Sequence, residues 1–380
     1  MRRIELVSSI LSVPSPAWDA LVGEDDPFSE HAFLAALERS GSVGGATGWL
    51  PMHVTVWRED ALIGALPLYL KQHSFGEYVF DFAWAQAATR AGIRYYPKLV
   101  SMVPFTPATG RRFLFAPAEN ADEITQALLE GAMQALASTR ASSLHLHFLN
   151  AEEHARVARD PRFMSRLSMQ FHWHNPGFAS FDEHLATFRA SARKDAKKER
   201  RRVQEAGLEV RITRGPELDD AAWEALTEFY FDTCEKHGSG PYLTRAFFDE
   251  IRRTHAQRVV AVLALREGRV IAGALNFEKG KHLYGRYWGA REEHAFLHFE
   301  VCYHQLIERA ITRGYTRFEA GAQGSHKLKR GLLPAEIYNA CHIADPQLAR
   351  AVGDFLPREA LGVRAEMESL QEQGPSHRDG

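Results

Sequence analysis

Cysteine is scarce in this chain, with three among 380 residues. Cys234, Cys302 and Cys341 are too few and too irregularly spaced for a disulfide framework or a zinc cage, and an odd number suits a reducing compartment. Long apolar runs are also missing, because no window approaches ~18 uninterrupted apolar residues. The N-terminal segment starts with two arginines, but polar residues interrupt its apolar stretch, so it makes a poor signal peptide. We therefore expect a cytoplasmic protein that does not insert into membranes.

Several chemical signatures are missing as well. The glycine patterns of dinucleotide and Walker nucleotide sites do not occur, nor does the GxSxG motif of α/β-hydrolases. Two His-x-His pairs, at 145–147 and 172–174, have no third ligand at a sensible spacing. A formal net charge of -2 provides no whole-molecule field for nucleic acid or membranes. We predict no metal site and no tightly bound cofactor.

What the chain does contain is an internal repeat. Its 380 residues exceed one ordinary hydrophobic core, so two domains are expected. Both halves read as helix, helix, strand, strand, strand, helix, strand, with equivalent segments about 205 to 214 residues apart. The matched pairs are 16–21 with 221–226, 27–38 with 241–252, the hairpins 53–71 with 259–279, and the aromatic strands 77–85 with 282–290. Four matches in one order favour a duplication over a chance likeness of α/β segments.

This order of elements resembles the GNAT fold of acetyltransferases. The sequence therefore predicts an α/β protein built as a tandem duplication of the GNAT (acyl-CoA N-acyltransferase) fold. Each copy would be a mixed, mostly antiparallel sheet flanked by helices. We expect a first domain over residues 1–165, a second over 166–345, and a C-terminal helix and tail over 346–380 that packs back on the first domain. A fold alone fixes no substrate.

A strongly basic helix is predicted at 189–202, within the second copy. It carries eight Lys or Arg in fourteen residues, opposed by Asp195 and Glu199. Such a run is usually a solvated helix face. In a chain of near-zero net charge, it also offers a surface for the phosphates of a tRNA backbone or a nucleotide-linked precursor. Helical spacing brings Arg193 and Lys197 together, and we predict that both bind anions.

Longer motifs carry a more specific resemblance. They are VPFTPATGRR (103–112), FHWHNPGF (171–178), SARKDAKKERRRVQEAGLEV, YGRYWGA (284–290), LHFEVCYHQLIE (297–308) and FEAGAQGSHKLKRG (318–331). Together they resemble the FemABX peptidyltransferases, which are tandem-GNAT enzymes that move an amino acid from aminoacyl-tRNA onto a peptidoglycan precursor, and a bacterial family of FemAB-like proteins. The resemblance implies an acyltransferase that acts on a small molecule or cell-wall precursor, with tRNA as a further partner. The long charged helical hairpin that some FemABX members insert in the second copy is missing, which argues against a tRNA contact of that kind.

The first candidate site is the loop 98–115. In a GNAT unit, backbone amides at a helix start in this place bind pyrophosphate. The loop offers hydroxyls, an open backbone and guanidinium groups, and its predicted anion-binding residues are Thr106, Thr109, Gly110 and Arg111. Its prolines fit an ordinary surface loop nearly as well. The closely spaced glycines of a GNAT pyrophosphate loop are absent, which weakens the case for acetyl-CoA here.

The second candidate site is the loop 318–342, where a strand runs into a basic, glycine-rich turn. Acyl transfer to an amine needs a base for the amine proton and donors for the tetrahedral oxyanion. We predict that His326 is the base, or that Glu319 acts through a water. The predicted substrate-binding residues of this loop, which would hold a carboxylate or phosphate, are Gln323, Lys327, Lys329 and Arg330. For any single residue, a plain basic turn explains the pattern about as well.

The segment 284–308 is expected to face that loop. Its predicted substrate-binding residues are Arg286, Tyr287 and Trp288 on the central strand, where GNAT units separate two strands to admit the acyl group, and His298 before the next helix. We predict Glu300 as a general base and Tyr303 as a general acid, although Glu300 equally suits the helix N-terminus as a partner of the macrodipole. Phe296, Leu297 and Phe299 fill the place of a GNAT phosphate loop, which argues against standard CoA binding in this copy.

The leading hypothesis is a transferase that moves an acyl or aminoacyl group to an amine acceptor in the FemABX manner, with aminoacyl-tRNA or acyl-CoA as the donor and a cell-wall precursor as one acceptor. Two alternatives stay open. One is a conventional acyl-CoA-dependent N-acyltransferase. The other is a non-catalytic binding module for a nucleotide-linked or nucleic-acid ligand.

Overall fold

The computed structural model describes residues 2–238, 240–321 and 324–376. The chain divides into two compact units. Unit 1 comprises Met1–Ser168, Tyr242–Phe247 and Glu336–Arg364, and unit 2 comprises Met169–Pro241, Phe248–Ala335 and Ala365–Gly380. The chain therefore passes between the units several times, whereas the sequence analysis divided it only at 165 and 345.

Unit 1 is formed mainly by the N-terminal part of the chain. Its strands are β1 (Arg2–Val7), β2 (Trp49–Pro51), β3 (His53–Arg58), β4 (Ala61–Leu66), β5 (Tyr69–Lys71), β6 (Lys98–Ser101), β7 (Leu114–Phe115) and β8 (Ser143–Leu149). Its helices are α1 (Ser15–Asp19), α2 (His31–Arg39), α3 (Phe82–Arg90), α4 (Ala121–Thr139) and α5 (Ala151–Val157). Helix α4 begins where the Asn120 side chain accepts hydrogen bonds from two backbone amides of the first turn, as an N-cap should.

Four elements contain residues of both units. They are β9 (Met164–His174), α9 (Arg245–Thr254), β15 (Leu333–Ile343) and α12 (Pro346–Glu372). In unit 1, the strands form the antiparallel sheet β1-β3-β4-β7 and the series β2-β5-β6-β8-β15, in which β6 and β8 run parallel. Helix α4 packs its apolar face, which includes Leu128 and Ala132, into a core with Val54 and Leu144.

Unit 2 contains the basic helix and the longest hairpin. Its further helices are α6 (Phe181–Ala186), α7 (Ala190–Glu205), α8 (Asp220–Lys236), α10 (Leu297–Phe299) and α11 (Gln305–Thr312), and its further strands are β10 (Glu209–Arg214), β11 (Val259–Arg266), β12 (Arg269–Lys279), β13 (His282–Ala290) and β14 (Arg317–Glu319). A π-helical turn, Glu300–His304, joins α10 to α11, and a 3-10 helix covers Ser325–Arg330. The β11–β12 hairpin turns at Glu267 and Gly268, both at positive φ, which suits a tight two-residue turn.

Two neighbouring strands of unit 2 separate part-way along their length. The strand order is β10-β11-β12-β13-β14-β9. Strands β13 and β14 are parallel and pair from His282 with Arg317 to Tyr284 with Glu319. Strand β14 ends there, while β13 continues to Ala290. Among the described residues, the remaining part of β13 therefore has no strand partner on the β14 side, which leaves room for a cavity.

The predicted fold class is confirmed: the protein is α/β, with mixed, mostly antiparallel sheets flanked by helices. The basic helix, both hairpins, the strand at 282–290 and the C-terminal helix form where the sequence predicts them. Within the three described ranges, no helix is both long and apolar enough to cross a bilayer.

One predicted strand is wrong. Residues 77–85 read as an aromatic strand, but helix α3 occupies Phe82–Arg90. The alanine-rich stretch from 83 to 88 favours a helix, and that helix buries Trp84 and Ala88, which are four residues apart on one face. The alternation of aromatic residues just before it was mistaken for strand periodicity.

Candidate functional site

A cavity of about 700 Å³ in unit 2 brings together the basic helix α7 and the 3-10 helix of the basic loop. The cationic side chains that line it are Arg189, Lys198, Lys329 and Arg330, and the carboxylates are Asp195 and Glu199. Phe296 and Phe299 supply apolar surface, and residues 373–375 of the C-terminal segment form part of the wall. Cationic side chains outnumber carboxylates in this lining, and the two phenylalanines add aromatic surface. The cavity therefore suits an anionic ligand that carries an apolar or aromatic part.

The basic helix contributes to this cavity through one face only. Its buried positions are Ala196, Glu199 and Val203, three and four residues apart, and most of its charged side chains are exposed. In the described part of the chain, the cavity is lined by Arg189 and Lys198 rather than by the predicted Arg193 and Lys197.

A buried ionic network fixes the basic loop to α7. The Arg330 guanidinium donates two hydrogen bonds to the Glu199 carboxylate, and the His304 imidazole lies 2.9 Å from the same carboxylate. Arg330 also lies over the Phe299 ring, 3.5 Å from its centroid, and is only 4% exposed. Burial opposes ionisation of Glu199, but the hydrogen bonds from His304 and Arg330 outweigh it and lower the pKa of the carboxyl. Arg330 is therefore neutralised, and it holds the loop in place.

His326 and Tyr303 form the central pair of the site. The Nε2 atom of His326 lies 2.9 Å from the Tyr303 hydroxyl. The backbone allows this because Gly324 has a φ of +101° and a Cβ there would lie 2.3 Å from the His326 ring. Burial lowers the pKa of His326, and the charges of Lys327 and Arg330 lower it further.

The phenol of the pair is shifted in the opposite direction. Tyr303 is 4% exposed, and burial raises its pKa well above the usual range, with a smaller contribution from Cys302. At neutral pH, the imidazole is therefore neutral and able to accept a proton, and the phenol is protonated and able to donate one.

A second, smaller cavity of about 110 Å³ opens where β13 and β14 separate. Five predicted site residues line it: Arg286, Tyr287, Trp288, His298 and Tyr303. Burial, together with nearby positive charge, lowers the pKa of His298 to about 4. Because His326 lines the large cavity and Tyr303 the small one, their hydrogen bond joins the two.

A family model described as FemAB-like, peptidoglycan biosynthesis/recognition, matches residues 9–378. The chain belongs to the FemAB-like family. The resemblance inferred from the sequence motifs is thereby confirmed. A comparison with curated protein sequences gives no match.

Solved structures show the same fold as this FemAB-like chain. FemX is 14% identical, with 92% of this chain and 100% of that chain covered and a TM-score of 0.54. The C-terminal domain of a candidate lysylphosphatidylglycerol synthetase from Agrobacterium fabrum is 10% identical, with 91% and 96% covered and a TM-score of 0.57. L-PGS from Bacillus licheniformis is 11% identical, with 85% and 95% covered and a TM-score of 0.50. Identities this low establish the fold alone.

Several predicted residues of the FemAB-like chain lie near the two cavities without lining them. Glu300 is buried in the π-helical turn, where it accepts hydrogen bonds from Arg200 (3.2 Å) and Gln305 (2.6 Å). Glu319 ends β14, with one carboxylate oxygen 3.0 Å from Arg317 Nε. Lys327 donates to a backbone carbonyl at 2.8 Å, and burial lowers the pKa of its amine to about 8.

The predicted basic loop also contains Lys329 and Gln323. Lys329 is exposed at the rim of the large cavity. Gln323 lies outside the described residues. No group of three or more His, Cys, Asp or Glu within the described ranges could hold a metal ion.

The predicted anion loop of unit 1 is used for internal contacts. The Thr106 hydroxyl donates to the Pro104 carbonyl at 2.9 Å and is buried, whereas Arg111 is exposed. A Cβ at Gly110 would lie 2.4 Å from a carboxylate oxygen of Asp26, so only glycine fits there. Thr109 is half-buried beside it. The loop thus packs against its own unit and is not part of the cavities of unit 2.

Three single residues and one short segment of the large cavity were not predicted from the sequence. Arg189 and Lys198 were counted in the basic run, but its charge density did not distinguish the cavity-facing side chains from the solvated ones. Glu199 was considered only as a charge that opposes the run. Residues 373–375 gave no signal, because a polar segment near a chain end reads as frayed.

Proposed function

We propose that this FemAB-like protein is a transferase that moves an acyl or aminoacyl group from an activated donor to an amine. The observation that carries the proposal is the hydrogen-bonded pair of His326 and Tyr303 between a large cationic cavity and a smaller one. Such a pair supplies a neutral base and a neutral acid at one point, as aminolysis of an ester or thioester requires.

The reaction follows from the protonation states of the pair. The amine nitrogen attacks the acyl carbon, its proton passes to His326 Nε2, and the carbonyl oxygen becomes an oxyanion. When this intermediate collapses, the bond from the acyl carbon to the donor oxygen or sulfur breaks, and Tyr303 gives its proton to that leaving atom. The proton held by His326 then passes along the 2.9 Å hydrogen bond to Tyr303, which restores both groups.

The two cavities suit the two ends of the donor. The cations Arg189, Lys198 and Lys329 favour phosphates in the large cavity, and the acyl group would enter the small one between β13 and β14. The half-buried Arg193 and the exposed basic side chains of α7, among them Lys197, would extend the phosphate surface beyond the cavity, which favours aminoacyl-tRNA over CoA. The family description favours a cell-wall precursor as the acceptor, and aminoacyl-tRNA as the donor would favour a reaction in the cytoplasm.

The test is a transfer assay with two donors. The protein is incubated with isotopically labelled aminoacyl-tRNA or with labelled acetyl-CoA, together with a low-molecular-weight extract that supplies amines and cell-wall precursors. Mass spectrometry then identifies labelled amides. We expect amides from aminoacyl-tRNA, and we expect Tyr303→Phe and His326→Asn to abolish them. Tyr315→Phe, elsewhere in unit 2, is the matched control and should keep activity.

The outcomes separate the alternatives. Amides formed only from acetyl-CoA would identify a conventional acyl-CoA N-acyltransferase. A binding module would instead bind tRNA or nucleotide tightly without forming any product, and the His326→Asn variant would still restore function in a genetic complementation assay. These two results together would overturn the proposal.

A further inference from the structure

The last described residues of the chain lie across one side of the large cavity. Helix α12 ends at Glu372, and Gln373, Gly374 and Pro375 then line the cavity next to α7. We propose that residues 372–376 are a displaceable strap, and that Arg189, which donates hydrogen bonds to it, binds the anionic part of the substrate when the strap moves away. This inference rests on the proposed function only in that the cavity takes an anionic substrate.

Arg189 holds the strap through several hydrogen bonds. Its guanidinium donates to the carbonyls of Gly374 (2.9 Å), Glu372 (3.2 Å) and Ser376 (3.1 Å). Its backbone amide donates to the Pro375 carbonyl at 2.8 Å. A single β-bridge between Phe188 and Ser376 adds to these contacts.

The acceptors of Arg189 are neutral carbonyls, and that makes the contact replaceable. Hydrogen bonds from a guanidinium to a phosphate or carboxylate are charge-assisted and about twice as strong as those to neutral acceptors. Arg330 shows the contrast within the same cavity, because it already has a carboxylate partner in Glu199. An incoming anion would therefore gain more from Arg189 than the strap does.

The position of the strap makes its displacement easy. It follows α12 and, in the part of the chain that the structure describes, pairs through a single β-bridge, so it can move without breaking a helix or a longer strand. Its buried residues are only Gly374 and Pro375. Arg189 also precedes the first turn of α7, where the helix dipole favours an anion at the same place. A strap closed nine-tenths of the time would weaken apparent binding about tenfold.

Two variants should change anion binding in opposite directions. Gly374→Val places a side chain against the Gln371 carbonyl, 3.0 Å from the Cβ position, and against Leu333, so the strap docks poorly. A chain that ends at Ser376 instead carries its terminal carboxylate where the Ser376 carbonyl accepts from Arg189, so the strap docks more tightly. The matched control is Gly362→Val on α12, the helix that precedes the strap, because the Cβ position there meets open space.

The measurement is the affinity for inorganic pyrophosphate by isothermal titration calorimetry, with thermal unfolding as a check on folding. We expect Gly374→Val to bind about tenfold more tightly than the full chain, the chain ending at Ser376 to bind severalfold more weakly, and Gly362→Val to be unchanged. Adding Arg189→Ala should remove both differences. Hydrogen exchange at the Arg189 amide should quicken in Gly374→Val and when pyrophosphate binds.

Any of three outcomes would overturn the strap proposal. The pyrophosphate affinity could be equal in all chains, no chain could bind pyrophosphate, or the differences in affinity could persist when Arg189→Ala is added. The chain ending at Ser376 keeps every described residue, so the test stands even where Gly374→Val fails to fold. These results do not decide the proposed function, which depends on the labelled amide in the transfer assay.

Discussion

At the scale of single residues, the proposed reaction depends on the protonation state of His326. Burial lowers the pKa of this imidazole, and the charges of Lys327 and Arg330 lower it further. A base works in its deprotonated form, so a lowered pKa moves the rising limb of the pH–rate profile to lower pH. We expect the midpoint of that limb in kcat/KM for amide formation to lie below the ordinary histidine pKa of about 6.5.

Replacing a charged neighbour of His326 tests whether the rising limb of the pH–rate profile reports the ionisation of this imidazole. Lys327→Met removes one of the charges that lower the pKa of His326, so the limb should move to higher pH. Lys329→Met is the control, because that side chain is exposed and solvent screens its charge. A limb that stays in place in Lys327→Met would show that the rate does not follow the ionisation of His326.

His298 provides a second residue-scale prediction, on stability. Its pKa is about 4 in the folded protein, mainly because of burial, against about 6.5 when unfolded. As pH falls from 6.5 to 4, the unfolded state takes up a proton that the folded state does not, so the free energy of unfolding decreases through this window. The full loss is at most about 3 kcal/mol, because the ring is not completely buried.

The measurement compares His298→Gln with the unsubstituted chain by urea denaturation on both sides of that window. The variant has no proton to take up at this position, so its stability should fall less steeply with acid. Parallel curves for the two proteins would contradict the lowered pKa.

At the scale of elements, the ion pair between Arg330 and Glu199 should be the main attachment of the basic loop to α7. Removing one partner of a buried pair leaves an uncompensated charge, so Arg330→Met should cost about 3 kcal/mol of unfolding free energy. The matched control is Arg201→Met on the same helix, whose exposed pair with Glu205 at 3.5 Å should be worth at most about 1 kcal/mol.

A double-mutant cycle completes this test. Replacing both Arg330 and Glu199 by Met removes the stranded charge, so the double variant should be more stable than the sum of the single losses implies. Additive losses measured by chemical denaturation would mean that the two side chains do not interact.

The sequence predicted elements better than it predicted the site. The alternating pattern of both hairpins, the turn at Glu267–Gly268 and the charge density of α7 are local properties, and each gave the correct element, whereas the alternation at 77–85 did not. The π-helical turn Glu300–His304 was not predicted, because it depends on tertiary packing rather than on local propensity. That turn places the Tyr303 hydroxyl beside His326 and the His304 imidazole beside Glu199. The site therefore depends on a feature that residue spacing does not reveal.

Among the residues that line the cavities, some could be predicted from the sequence and others could not. Arg286, Tyr287 and Trp288 were found because a fold resemblance placed them on the central strand, and His298 because it was expected just before the next helix. Arg189 could not be distinguished from the other cations of its run, since its distinguishing contacts are with carbonyls more than 180 residues away in sequence. Non-local pairing of this kind leaves no periodic signal.

At the scale of the whole molecule, the two units exchange segments of chain, and unit 1 is completed from the C-terminal part. Residues 336–364 belong to unit 1. Strand β15 pairs there with β8, from Tyr338 with Leu149 to Ile343 with Ser143. Leu348 and Val352 of α12 share a core with Trp84 and Tyr95. A repeat shows where each copy starts along the chain, but it does not show which later strand completes the sheet of that copy. The predicted domains were therefore consecutive.

This organisation predicts that residues 1–168 cannot fold alone. Without residues 336–364, one edge of β8 and the core around Trp84 would be exposed to water. A fusion of 1–168 to 336–364 through about six glycine and serine residues should fold, because Asn339 reaches the Ser168 hydroxyl at 3.0 Å and the ends are therefore close. Differential scanning calorimetry should show a cooperative transition for the fusion and none for 1–168. Similar transitions for both fragments would mean that the first 168 residues contain a complete domain, and that β15 and α12 are accessory to it.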